Sequence, residues 1–130
     1  MYPIKISSTA ARYRQDITIN DKFSLTADEP LELGGDDTGA TPVELVLAGL
    51  GSCKAITIKM YAARKEWELK SVEVDVSHQK INRQYQISVR LHLVGNLTDD
   101  QRQRLLKISD QCPVHKLLQS EAEIETILAD

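Results

Sequence analysis

The chain has 130 residues, of which 42% are hydrophobic and 27% are charged, a composition typical of one globular domain of ordinary size. Its formal net charge is −3 at pH 7, with basic residues scattered among acidic ones, which argues against a nucleic-acid partner. The N-terminus has neither a basic segment nor a long apolar run, so we expect no secretory signal and a cytoplasmic location. In that reducing compartment the two cysteines are better explained as reactive thiols or metal ligands than as a permanent structural bridge.

The chain begins with a predicted β-hairpin followed by a loop. Residues 13–19 and 23–27 both alternate apolar and polar side chains, as strands with one buried face do. Between them Asn20 and Asp21 favour a tight turn. Residues 28–39 are rich in glycine and acidic side chains and have neither a helical nor a strand period, so we expect a loop there. Its aspartates would repel a phosphate, which argues against nucleotide binding.

A long central helix is predicted after this loop. Thr41, Pro42 and Glu44 supply an N-cap, a first-turn proline and the carboxylate of a capping box. From residue 45 to residue 58 the sequence is apolar or small on nearly every side of a helix, so we expect this helix to be buried. Lys54 interrupts the apolar run, which falls short of the roughly 20 residues that a membrane span requires. No membrane partner is therefore predicted.

In the second half of the chain we predict two strands, two helices and a closing strand. The predicted fold class of the whole chain is therefore α+β. Alternating apolar residues mark strands around 72–76 and 87–93. A capping box at 98–101 begins a helix whose inward side reaches Cys112, and the proline after it restarts the chain as a short helical turn. Residues 122–128 alternate again and predict the closing strand.

Two cysteines are the candidate reactive groups. Cys53 lies inside the central helix, where the commoner role of a cysteine is that of a small core hydrophobe. Cys112 precedes a helical turn, whose free N–H groups and dipole stabilise a thiolate. Two inward cysteines therefore suggest a redox pair. A zinc site of Cys53, Cys112 and His115 is the weaker alternative, because a single Cys-x-x-His is a weak signal and no fourth ligand is evident.

Two segments carry a family resemblance. Residues 41–53 (TPVELVLAGLGSC) and 112–118 (CPVHKLL) closely resemble the signature segments of the OsmC/Ohr family, the osmotically inducible and organic hydroperoxide resistance proteins. Residues 28–35 (DEPLELGG) and 60–65 (MYAARK) are similar to an OsmC-like branch, so the resemblance covers nearly the whole chain. It implies a single OsmC-like domain over residues 1–130, with an antiparallel sheet packed on long central helices. It also implies an intertwined homodimer with its active sites at the subunit interface.

The resemblance further implies a reaction. Cys53 takes the position of the peroxidatic cysteine and Cys112 that of the resolving cysteine. A Cys53 thiolate would attack the O–O bond of an organic hydroperoxide and become a sulfenic acid, with which Cys112 would condense to a disulfide. In the family a dithiol reductant, the lipoyl group of a partner protein, completes the cycle without a metal or organic cofactor. The expected activity is that of a cysteine-based organic hydroperoxide reductase in the oxidative stress response.

The chain departs from the family pattern at one position. Family hydroperoxidases carry a catalytic glutamate directly after the proline of this helix start, where this chain has Val43. Glu44 precedes Cys53 by nine residues, which at ~100° per residue places it on roughly the opposite side of the helix, so it is better explained as the capping carboxylate. The family also pairs an arginine with its glutamate. Arg12 is the aligned candidate and Arg14 the second, although both are equally consistent with the solvated face of a strand.

The change to Val43 keeps a second functional hypothesis open. Without the glutamate that orients the activating arginine, the fold and the cysteines could serve a redox-sensing or small-molecule-binding OsmC-like protein with little peroxidase turnover. The sequence does not separate this alternative from the peroxidase.

Overall fold

The N-terminal part of the molecule is built on an antiparallel sheet. The computed structural model describes residues 2–129, and the chain divides into two units after Leu47. The strands of the first unit are β1 (Ile4–Ser8), β2 (Gln15–Ile19) and β3 (Phe23–Ala27), paired in that order. The predicted hairpin of β2 and β3 is confirmed, and Asn20 and Asp21 both have the positive φ that such a turn requires. Strand β1 is not predicted by the sequence; it forms by pairing with β2.

The predicted loop at 28–39 is closed by a buried carboxylate. Asp28 is only 2% exposed and accepts hydrogen bonds from the Thr38 hydroxyl (2.6 Å), the Glu29 N–H (2.7 Å) and the Thr38 N–H (3.1 Å). These bonds, that of the Thr38 hydroxyl first, outweigh the effect of burial and hold the pKa of Asp28 below its usual value. A 3₁₀ turn at Leu31–Leu33 lies between the two ends of the loop. The acidic segment is therefore an ordered loop.

Helix α1 (Pro42–Arg64) begins where its capping box predicts. The Thr41 N–H donates to Glu44 Oε1 (2.9 Å), and the Glu44 N–H donates to Thr41 Oγ1 (3.2 Å). Within one chain, only part of this helix is buried. Ile58 is fully buried, whereas Ile56 and Met60 are 54% and 62% exposed. One helix has only part of its circumference covered by the elements of its own chain, so the remaining apolar side chains face outward.

The second unit places α1 beside a long hairpin and two helices. The hairpin consists of β4 (Glu68–Ile81) and β5 (Gln84–Asn96), followed by α2 (Asp99–Ser109) and α3 (Pro113–Gln119). The predicted apolar face is confirmed by its register, in which Val72 pairs with Leu93 and Val74 pairs with Leu91. The capping box of Thr98 and Gln101 is confirmed as well.

The core of this unit lies between α1, α2 and the apolar face of the hairpin. Ile58, Ala62 and Leu105 are buried at its centre, with Trp67 and Leu91 among the side chains packed around them. Toward the N-terminal end of α1, a Cβ added at Gly51 would lie 3.1 Å from Val76 Cγ2, so a larger residue would require a small shift of the Val76 side chain. This contact with β4 lies two residues before Cys53 in α1.

Two predicted boundaries are corrected by the structure. Residues 121–129 form neither a helix nor a strand, and Ile124 and Leu128 are 87% and 90% exposed, so the closing strand at 122–128 is wrong for the described chain. Alternation becomes a strand only where a neighbouring strand supplies hydrogen-bond partners. Helix α2 ends at Ser109 rather than near Cys112, and Cys112, the residue before Pro113, is non-helical as the N-cap of α3. Among the helices of residues 2–129, none combines the length and apolarity that a membrane crossing requires.

Candidate active site

The structure brings Cys53 and Cys112 together. Cys53 is half-buried on α1, and Cys112 is entirely buried as the N-cap residue of α3. Both are free thiols, and they lie close enough for each to change the pKa of the other. Two residues that are far apart in the sequence therefore form one dithiol pair. The reading of Cys53 as an isolated core hydrophobe does not fit this arrangement.

The surroundings of Cys53 favour its thiolate. Burial raises the pKa of Cys53, but hydrogen bonds from the Cys112 thiol, the Val114 N–H and the Thr57 hydroxyl outweigh burial, and the charge of Lys54 adds to them. The net effect is a pKa below the usual value of a cysteine. Cys53 is thus the thiol of the pair that is ionised to the larger extent near neutral pH.

The surroundings of Cys112 have the opposite effect. Burial raises the pKa of Cys112, and the hydrogen bond that its thiol donates to Cys53 raises it further. The N–H groups of His115, at 3.4 Å from Cys112 Sγ, and of Val114 offset this only in part. The sequence had indicated thiolate stabilisation at Cys112 because it starts a helix. That expectation is wrong, because complete burial raises the pKa of Cys112 by more than the N–H groups of the helix start lower it. The Val114 N–H also forms a hydrogen bond with Cys53.

Lys54 is a member of the site that the sequence did not reveal as one. It is 3% exposed, and its ammonium nitrogen lies 2.9 Å from His115 Nδ1, 3.0 Å from the Ser109 carbonyl oxygen and 3.2 Å from Asp110 Oδ1. From the sequence alone, this lysine is only an interruption of an apolar helix. A single charged residue within an apolar helix was nevertheless a signal, because a buried charge requires partners from other elements.

His115 is engaged by Lys54. An ammonium group has only donors, so His115 Nδ1 accepts from Lys54 and the ring proton of the neutral imidazole is on Nε2. His115 Nδ1 and Asp110 Oδ1 are 3.7 Å apart, which is too long for a hydrogen bond. Within residues 2–129 no group of three His, Cys, Asp or Glu side chains is arranged to hold a metal ion, and the zinc site of Cys53, Cys112 and His115 stays an alternative.

The predicted supporting residues belong to the first unit. Arg12 lies over the ring of Tyr13 at 5.8 Å, and Arg14 pairs with Asp16 at 3.2 Å on the surface of β2 and the preceding turn. Glu44 takes part in the capping box described above, as predicted. Participation of Arg12 or Glu44 in the chemistry of the cysteines stays a prediction.

An α+β fold in which a helical cysteine faces a buried second cysteine is the arrangement of a dithiol protein. The sequence profile of the family described as OsmC-like protein matches residues 34–127. The chain therefore belongs to the OsmC-like family, as the two signature segments predicted. No protein of curated function matches the chain.

Solved structures share the fold over most of their length. An OsmC-like protein from Mycoplasma pneumoniae is 19% identical, with 92% of this chain and 87% of that chain covered and a TM-score of 0.77. A Vibrio cholerae protein, described as an organic hydroperoxide resistance protein and solved with captopril in one of its active sites, is 26% identical, with coverages of 92% and 85% and a TM-score of 0.67. An organic hydroperoxide resistance protein from Elizabethkingia anophelis is 22% identical, with coverages of 92% and 89% and a TM-score of 0.66.

Proposed function

We propose that the protein is a thiol-dependent peroxidase that reduces organic hydroperoxides. The Cys53 thiolate attacks the O–O bond, forming an S–O bond while the alkoxide leaves and takes up a proton as the alcohol. The Cys112 sulfur then attacks the Cys53 sulfenic acid and expels water, which gives the Cys53–Cys112 disulfide. A dithiol, for which a lipoylated protein is our candidate, reduces the disulfide and is itself oxidised. We place this reaction in the cytoplasm, the compartment that supplies such reductants.

The opposite pKa shifts of the two facing thiols carry this proposal. A peroxidatic cysteine reacts as a thiolate, and Cys53 has the lowered pKa. A resolving cysteine is needed only after the first step, and Cys112 remains a thiol that donates to Cys53. Membership of the OsmC-like family and the names of the Vibrio and Elizabethkingia proteins support the same substrate class.

A second candidate function is favoured by a specific observation. Val43, in the first turn of α1, is 40% exposed and has no acid–base chemistry, although the family resemblance aligns it with a catalytic glutamate. A redox-sensing or small-molecule-binding protein would retain the dithiol pair and react with hydroperoxide without efficient turnover. The two functions therefore differ in the number of hydroperoxide molecules consumed per chain.

A turnover assay tests the proposal. With excess dithiothreitol or dihydrolipoamide, we expect many equivalents of cumene hydroperoxide to be consumed per chain, faster than hydrogen peroxide. Fatty-acyl hydroperoxides and small alkyl hydroperoxides, assayed in parallel, would define the substrate chain length. Consumption that stops near one equivalent, with the disulfide left unreduced by excess dithiol, would contradict the enzyme and support the sensor.

We also propose that the protein is a homodimer. On α1, Ile56 and Met60 are more than half exposed, and a Cβ at Gly49 would meet no atom within 4 Å. At 100° per residue these three positions share one side of the helix, so they form an apolar strip that a second copy would cover.

Sedimentation velocity at micromolar concentration is expected to give twice the chain mass of 14.6 kDa. Ile56→Glu should shift the protein toward monomer, whereas Ile81→Glu, at an exposed apolar residue of the β4–β5 hairpin, should not. A wild-type mass near that of one chain would refute the dimer.

A further inference from the structure

We infer that Lys54 is a positioning residue of the dithiol site: its buried ammonium group fixes the junction between α2 and α3, and thereby holds Cys112 against the helix that carries Cys53. The role of this positioning in disulfide formation rests on the proposed peroxidase or sensor chemistry. The positioning itself is a property of the reduced protein and is measurable without any peroxide.

The ammonium group of Lys54 is fully engaged by its neighbours. It has three N–H donors, and the structure places three acceptors around them: the Ser109 carbonyl, the Asp110 carboxylate and His115 Nδ1. Ser109 is the last residue of α2. At this end the carbonyl groups have no partner within the helix, and they favour a cation together with the negative end of the helix dipole. A buried lysine is costly unless its charge is paired in this way, so the contacts define one position for the junction relative to α1.

Two of the three residues that accept from Lys54 also form a hydrogen bond with Cys112. The Ser109 carbonyl accepts the N–H of Cys112 at 3.4 Å, and His115 donates its own N–H to Cys112 Sγ at 3.4 Å. Lys54 thus holds residues on both sides of Cys112, one before it and one after it. Lys54 directly follows Cys53 in α1. It therefore links the helix that carries Cys53 to the residues that flank Cys112.

Lys54 also acts on Cys53 through its charge. Burial raises the pKa of Cys53, the hydrogen bond from Cys112 lowers it most, and the charge of Lys54 lowers it in addition. Removing the charge would weaken both effects, since the Cys112 thiol loses its fixed position at the same time. The consequence is a slower attack by Cys53 and a slower capture of its sulfenic acid by Cys112.

Lys54→Met tests the inference, because methionine keeps much of the apolar stem and removes the charge and the donors. The matched control is Lys59→Met, an exposed lysine on the same helix. We expect Lys54→Met, and not the control, to slow alkylation of Cys53 at pH 7 several-fold and to move its pH profile upward. After oxidation with one equivalent of hydroperoxide, Lys54→Met should also form disulfide more slowly and, with excess hydroperoxide, accumulate several-fold more sulfinic acid on Cys53.

A second pair of variants keeps the test valid if Lys54→Met does not fold. His115→Asn retains an acceptor oxygen near the position of Nδ1, whereas His115→Leu removes it. The leucine variant should accumulate sulfinic acid, and the asparagine variant should stay near the wild type. Nitrogen NMR of His115 in the reduced wild type should show a neutral ring protonated at Nε2.

The outcomes separate this inference from the proposed function. If the wild type shows no peroxide turnover but Lys54→Met still shifts the alkylation profile, the peroxidase is refuted and the positioning role stands. If the wild type turns over while Lys54→Met matches Lys59→Met in both the alkylation profile and the rate of disulfide formation, the positioning role is refuted. A His115 ring protonated at Nδ1 would refute it independently.

Discussion

Cys53→Ser is expected to abolish hydroperoxide consumption, whereas Cys112→Ser is expected to retain one reduction per chain in the absence of reductant. A serine hydroxyl is nearly isosteric with the thiol, but it does not ionise appreciably near neutral pH and cannot form a sulfenic acid. Without Cys112 the first step still proceeds, and Cys53 then remains as a sulfenic acid. Hydroperoxide consumption and trapping of the sulfenic acid by dimedone measure the two results.

Both variants should retain the fold, which circular dichroism and thermal unfolding would verify. The experiment decides which of the two cysteines reacts with the hydroperoxide first. If Cys112→Ser abolished the first reduction and Cys53→Ser preserved it, the roles of the two cysteines would be the reverse of those proposed. If both variants consumed hydroperoxide like the wild type, neither thiol would carry the reaction.

The second large effect concerns the hydrogen bond between the two thiols. Cys112→Ala removes the donor that contributes most to the lowered pKa of Cys53, while Cys112→Ser keeps a hydroxyl donor. We expect alkylation of Cys53 at pH 7 to be several-fold slower in Cys112→Ala than in Cys112→Ser. Monobromobimane labelling across a pH series measures this difference.

The direction of the pH dependence follows from the lowered pKa. In the wild type, the thiolate of Cys53 persists below the pH at which an ordinary cysteine is protonated, so labelling declines only as the pH falls through the lowered pKa. In Cys112→Ala that decline should occur at higher pH. Superimposable profiles of the alanine and serine variants would show that the Cys112 thiol has no part in activating Cys53.

Local sequence signals predicted the elements that depend on neighbouring residues. The capping boxes of α1 and α2 and the turn at Asn20 and Asp21 are all local patterns, and the structure confirms each of them. Strand β1 and the irregular segment at 121–129 depend instead on whether a partner strand is available. Alternation alone carries no information about such a partner, so one strand was missed and another was predicted wrongly.

The candidate site was predictable only in part for the same reason. The family resemblance identified Cys53 and Cys112 as a pair, and the structure places them side by side. The local sequence could not indicate which thiol has the lower pKa, because that depends on burial and on hydrogen-bond donors from two helices. Lys54 was missed since its partners, Ser109, Asp110 and His115, lie more than fifty residues along the chain.

The unequal burial of the two cysteines also bears on how the protein would be regenerated. Cys53 is half-buried, whereas Cys112 is fully covered in the reduced structure, so we expect an incoming reductant to reach Cys53 more readily. The mixed disulfide should therefore form on Cys53, with Cys112 as the leaving thiol. One sulfur would then receive both substrates in turn, the oxidant and the reductant.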